Sequence, residues 1–202
     1  HRDLHSFPTR RSSDLDRREF TFSLSEKKAV KVGFSPTSET AMYRIELLDV
    51  SETVIDQIDA SFGVPVYFEA VYNAGNYIVR VTPLTVVDAA SPFTVSLDES
   101  GRMVEEEPND DYAAATELTV GSPMTGRLSH GADTDIYAFT LNAPGYLDLA
   151  FTCPGSYNRF KISVYKESGE NLINGMDVPV NKDVTLPMGL SMGRYYIRVA
   201  GY

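Results

Sequence analysis

Cysteine, histidine and long apolar runs are all scarce in this sequence of 202 residues. A single cysteine, Cys153, excludes an intramolecular disulfide, and with it the covalent stapling that small extracellular domains use in place of a large core. With three histidines and no HExxH, no GxSxG and no glycine-rich phosphate loop, the common routes to metal-assisted, nucleophilic and phosphoryl-transfer catalysis are missing. No apolar run approaches the roughly 20 residues that a membrane-spanning helix needs, and no secretory signal is recognisable. Basic residues are outnumbered 18 to 28, so the formal charge of −10 repels a nucleic-acid backbone and favours cations instead. What the chain does have is 43% hydrophobic residues, enough for one large or two small ordinary cores.

Residues 1–15, HRDLHSFPTRRSSDL, share neither the acidity nor the patterning of the rest. From His5 onward, eleven consecutive residues resemble one translated frame of a sequencing-adapter oligonucleotide, so the stretch is set aside as a non-native tail. Setting it aside removes three basic and two acidic groups, leaving a formal charge of −11 and His130 as the one remaining histidine.

From Asp16 the apolar residues recur with period two, the spacing of one face of a strand. Phe20, Phe22 and Leu24 alternate with polar neighbours, as do Val30, Val32 and Phe34, and then Tyr43, Ile45 and Leu47. Further strands are expected at Val64 to Phe68, Tyr77 to Val81 and Phe93 to Leu97, with turn residues between them. The second half repeats the first. An offset of 117 carries those nine apolar positions onto Tyr137/Phe139/Leu141, Leu147/Leu149/Phe151 and Phe160/Ile162/Val164. After one residue of slippage, Val66 and Phe68 fall on Val184 and Leu186, Gly75 on Gly193, and Tyr77/Val79/Val81 on Tyr195/Ile197/Val199. Five blocks with a single slip point to duplication. The expected architecture is all-β: two tandem jelly-roll-like β-sandwich domains, at 16–98 and 105–202, joined by a linker at 99–104. Both are expected to be truncated, because the Phe93 to Leu97 strand maps to about residue 211 and the lead-in to Tyr137 has only the tail as its counterpart.

The lead-in to the second copy holds the chemistry. EEEPNDD, Glu105 to Asp111, packs five carboxylates and an asparagine into seven residues, with Asp133 and Asp135 further along on the approach to a strand. His130 is a lone turn histidine, and Cys153 has no second histidine to activate it, so neither suits catalysis. A pair of carboxylates would serve a glycosidase, but a crowd of them sets two distinct pKa values poorly and binds a hard cation well. Calcium takes six to eight oxygens in irregular geometry, which a flexible acidic segment folded against a DxD turn can supply. Pro108 holds Glu107 extended, and Asn109 or Asp110 is placed to cap a short helical turn over Asp111 to Leu118. A solvated acidic linker fits the same residues. On the last strand, Tyr196 and Arg198 point away from the Tyr195/Ile197/Val199 set, and such an exposed pair suits contact with a polymer.

EEEPNDDYAAATEL, then Gly126-Arg-Leu128, ADTDIYAF, GYLDLAF and GRYYIRVAGY resemble, in order, the pattern of the bacterial pre-peptidase C-terminal domain family. The first copy is similar more weakly, through FTF, IELLD and AGNYIVRV. The resemblance implies non-catalytic β-sandwiches of a secreted or cell-surface bacterial protein, often a peptidase, acting as accessory, spacer or adhesion modules. Through the related collagen-binding domains of clostridial collagenases it also implies calcium held by Glu105, Glu107, Asn109, Asp110, Asp133 and Asp135, stiffening the junction between copies. The alternative, which rests on the outward face of the last strand, is a binding domain for collagen, peptide or glycan that uses Tyr196 and Arg198.

Overall fold

The computed structural model describes residues 17–85, 92–129, 132–153, 159–167 and 171–201. The tail and His130 lie outside the described residues. Among the described residues every regular element is a strand, and no helix is long and apolar enough to cross a membrane. The chain forms two compact units, divided between Glu107 and Pro108.

The first unit is a sandwich of two four-stranded sheets. One has the order β1 (Arg18–Leu24), β6 (Gly75–Pro83), β3 (Met42–Leu48), β4 (Val54–Ser61). The other has the order β7 (Phe93–Glu99), β2 (Lys28–Pro36), β5 (Val66–Tyr72), β8 (Glu106–Glu107). The alternating positions form its core: Phe22 from β1, Val30, Val32 and Phe34 from β2, Tyr43, Ile45 and Leu47 from β3, with Phe68, Tyr72, Tyr77 and Val79. Strand β8 adds to β5 in parallel, with Val71 opposite Glu106 and the Val71 N–H donating to the Glu105 carbonyl at 2.7 Å. The division into units falls just after this pairing, inside the acidic run.

The second unit has one sheet of order β13 (Asn171–Val178), β12 (Phe160–Lys166), β15 (Gly193–Gly201), β10 (Thr134–Leu141), β9 (Thr116–Glu117). A two-stranded ribbon, β11 (Gly145–Phe151) with β14 (Val184–Leu190), completes it. Its core gathers Tyr137, Phe139, Ile162, Val164, Tyr195, Ile197 and Val199.

Strand pairing repeats residue by residue. Phe20 opposes Val79 and Phe22 opposes Tyr77 in the first unit; Tyr137 opposes Ile197 and Phe139 opposes Tyr195 in the second. The same holds for Val32 with Phe68 and Leu149 with Leu186. Register shifts fall at the matching places, Leu47/Leu48 and Val164/Tyr165. The rings of Phe22 and Tyr77 stack at 5.2 Å, and those of Phe139 and Tyr195 at 5.5 Å. Each tyrosine then donates its hydroxyl to a carbonyl four residues upstream, Asn73 at 2.7 Å and Ser191 at 2.9 Å. Burying an aromatic body while satisfying its polar tip gives each copy a fixed point, where β6 begins in the first and β15 in the second.

Strands β4 and β13 are absent from the sequence reading, for a physical reason. On β4 the buried positions are Asp56 and Ala60, so a charge interrupts the apolar face; β13 leaves Leu172 and Ile173 exposed. Both are outer strands of their sheets, where inward charges and irregular patterns discourage pairing with other chains. Strand β5 runs Val66–Tyr72 rather than starting at Val64, because the Val64 N–H closes a turn onto the Ser61 carbonyl at 3.0 Å.

Candidate metal centre

The candidate site grows from two pieces of chain. Pro108 follows β8 and keeps Glu105 to Glu107 extended, so that Glu105 and Glu107 share one side of the strand while Glu106 takes the other. Glu106 pairs with Lys27 at 2.5 Å, leaving that other side to an ordinary half-exposed ion pair. Glu105 and Glu107 are buried. In the second unit, the Ile136 N–H donates to the Asn109 carbonyl at 3.1 Å, which anchors the segment after Pro108 against the start of β10. Asn109 is 0% exposed, and its amide donates to Thr116 Oγ1 at 3.3 Å.

Asp133 and Asp135 stand two apart on the lead-in to β10 and are both buried, as period two dictates for residues in line with Tyr137 and Phe139. The Tyr137 hydroxyl donates to Asp135 Oδ2 at 3.2 Å, and the Ser129 N–H donates to Asp133 Oδ2. Among the described residues, Glu105 and Glu107 at the end of the first unit and Asp135 in the second each offer a buried carboxylate. The donor set is entirely oxygen, which suits a hard cation and not one that prefers sulfur or imidazole. Of the other expected ligands, Asn109 and Asp133 are buried on the same two pieces of chain, and Asp110 is exposed.

The expected helical turn differs in detail. Asp111, not Asn109 or Asp110, is the cap: its Oδ1 accepts from the N–H groups of Ala113 and Ala114 at 2.8 and 2.9 Å. The turn ends there because Thr116–Glu117 pair with β10 in parallel and the Leu118 N–H reaches the Ala138 carbonyl at 2.7 Å.

Tyr196 and Arg198 are half-buried on β15 rather than fully outside. Tyr112 meets the Tyr196 ring edge-on at 5.1 Å and Tyr165 at 6.3 Å, and Tyr165 lies directly opposite Tyr196 in the β12–β15 pair. The Arg194 guanidinium lies 5.3 Å from the Tyr196 ring centroid, donates to its hydroxyl at 3.1 Å and pairs with Glu117. These bonds to Glu117 and Tyr196 push the Arg194 pKa above its ordinary value. Arg198 donates to Thr134 Oγ1 at 3.4 Å. Tyr112, Tyr165 and Arg194 escape a reading of single strands, because what joins them to Tyr196 is pairing between strands and a turn. Cys153 is buried, with its N–H directed to Asp183 Oδ1 at 3.3 Å, as befits a small core residue.

No family model matches the chain, and no curated protein matches it. A solved structure of oxalate decarboxylase is similar at 10% identity over 91% of this chain and 68% of that one, with a TM-score of 0.16, too low to carry any argument.

Proposed function

We propose that the chain is a calcium-stabilised, non-catalytic accessory module, serving as spacer or adhesion element in a larger secreted or cell-surface bacterial protein. The buried carboxylates carry this reading: Glu105 and Glu107 in the first unit, Asp133 and Asp135 in the second. A carboxylate buried as an anion is costly unless a partner charge offsets it, and a divalent cation is such a partner. Asn109 and Asp133, buried on the same segments, are the further oxygens available to an ion that takes six to eight. The resemblance of EEEPNDD, ADTDIYAF and GRYYIRV to pre-peptidase C-terminal domains supports the accessory role, and the single histidine beyond the tail supports its being non-catalytic.

A ligand that binds the native state alone stabilises it by mass action, about 2.7 kcal/mol at a hundredfold excess over Kd. Millimolar calcium is therefore expected to raise the melting temperature by several degrees over the same chain in chelator. Asp135→Asn is expected to remove that difference. Identical melts of the parent chain in the two conditions would overturn the reading.

The tyrosines around Tyr196 favour a second reading, binding of an extracellular protein or polysaccharide. Aromatic residues and arginine dominate such contact surfaces. Replacing Tyr196 and Arg198 by alanine is then expected to abolish retention on collagen or polysaccharide resin; no retention of the parent chain would sink this reading while leaving the calcium result untouched.

A further inference from the structure

Strand β11 pairs with β14 along one edge, and among the described residues no strand pairs with its other edge. Its counterpart β2 pairs on both sides, with β5 and with β7. The core registers the difference. Val30, Val32 and Phe34 on β2 are 3, 2 and 1% exposed, whereas Leu147, Leu149 and Phe151 on β11 stay half-buried. In the first unit Phe93, Val95 and Leu97 of β7 pack against the core beside β2. An open strand edge presents a row of N–H and C=O groups that template further pairing. Proline and lysine, the usual deterrents, are absent from β11, and its one charged residue is Asp148.

We infer that the open edge of β11 binds an extended peptide strand of the β7 pattern, antiparallel to it, with apolar residues against Leu149 and Phe151 and a cationic residue opposite Asp148. The first unit supplies the register. There Val32 opposes Leu97, Phe34 opposes Val95, Lys31 opposes Asp98 and Gly33 opposes Ser96. Carried across the repeat, Lys31 becomes Asp148, so an acidic residue in the place of Asp98 would meet like charge, which is unfavourable directly across a pair. Gly33 becomes Ala150. A Cβ at Gly33 would come 2.5 Å from the Ser96 hydroxyl, so the place opposite Ala150 takes alanine or glycine. The strand that fits is thus not a copy of β7 but a variant altered at two positions.

The probes are two synthetic peptides, PFTVALKE and PFTVALDE, titrated into the whole chain. Saturable one-to-one binding is expected, with amide hydrogen-exchange protection gained over 145–151, and the lysine peptide is expected to bind about threefold more tightly, as an oppositely charged cross-strand pair allows. Asp148 is exposed, so Asp148→Lys leaves the core intact and is expected to invert the preference between peptides. Absence of saturable binding overturns the inference. So does protection gained over 28–36, which would mean displacement of β7, or self-association of the chain through 145–151 that excess peptide does not compete.

Discussion

The same strand scaffold carries two different surfaces in the two units. At matching places on β6 and β15, Arg80 donates to Glu19 at 2.9 Å and Glu52 at 2.8 Å, while Arg198 faces Thr134 near a group of tyrosines. Position 78 is isoleucine where position 196 is tyrosine, and position 18 is arginine where position 135 is a buried aspartate. The inward columns have kept their character, because a change there is felt throughout a close-packed core. The outward columns and strand ends have diverged freely. The two units thus share their inward columns, while a charge-neutralised face in one stands where the other has an aromatic and acid-rich one.

The sharpest way to break this comparison is through matching core phenylalanines. Phe34 and Phe151 occupy equivalent places, yet the first is fully buried between two neighbouring strands and the second is half-buried beside one. Phe34→Ala is expected to cost about 3–5 kcal/mol, the usual range for a fully buried phenylalanine. Phe151→Ala is expected to cost about half as much, since the transfer contribution scales with the apolar area removed from water. Urea unfolding followed through backbone NMR signals of each unit measures both. Equal losses would mean that the second core is as tightly closed as the first.

How much of this was legible beforehand follows from the same distinction. Period-two alternation is produced by burial of one face, so β1, β2, β3 and β6 and their counterparts could be read directly from Phe22, Val32, Ile45, Val79 and the residues they map to. The internal repeat strengthened each assignment, because a chance pattern does not recur in register. Strands β4 and β13 were hidden, since an outer strand with Asp56 turned inward or Leu172 turned outward obeys no simple period. Of the acidic group, composition alone singled out Glu105 to Asp111, and the DxD spacing singled out Asp133 and Asp135. That Glu107 ends a strand of the first unit was not legible: two residues pairing in parallel with β5 leave no periodic trace. Nor was the part played by Tyr112, which depends on a single turn capped by Asp111.

The smallest effect bears on the surface where the copies differ most. Burial holds the Tyr112 phenol above its ordinary pKa of 10.0, with Tyr165 reinforcing the shift and the Arg198 charge opposing it. A raised value in the folded state means that the neutral phenol is the form the fold favours. Its contribution to stability is complete below pH 10 and is lost as the pH rises through the folded value. Spectroscopic titration of the phenolates is therefore expected to show a component above the ordinary tyrosine range that disappears in Tyr112→Phe. The same substitution is expected to flatten the alkaline fall in stability slightly. Replacing Arg198 by glutamine removes the opposing charge and is expected to move that component further upward; an unchanged position would place Arg198 too far from Tyr112 to act on it, and would separate the arginine from the tyrosine group altogether.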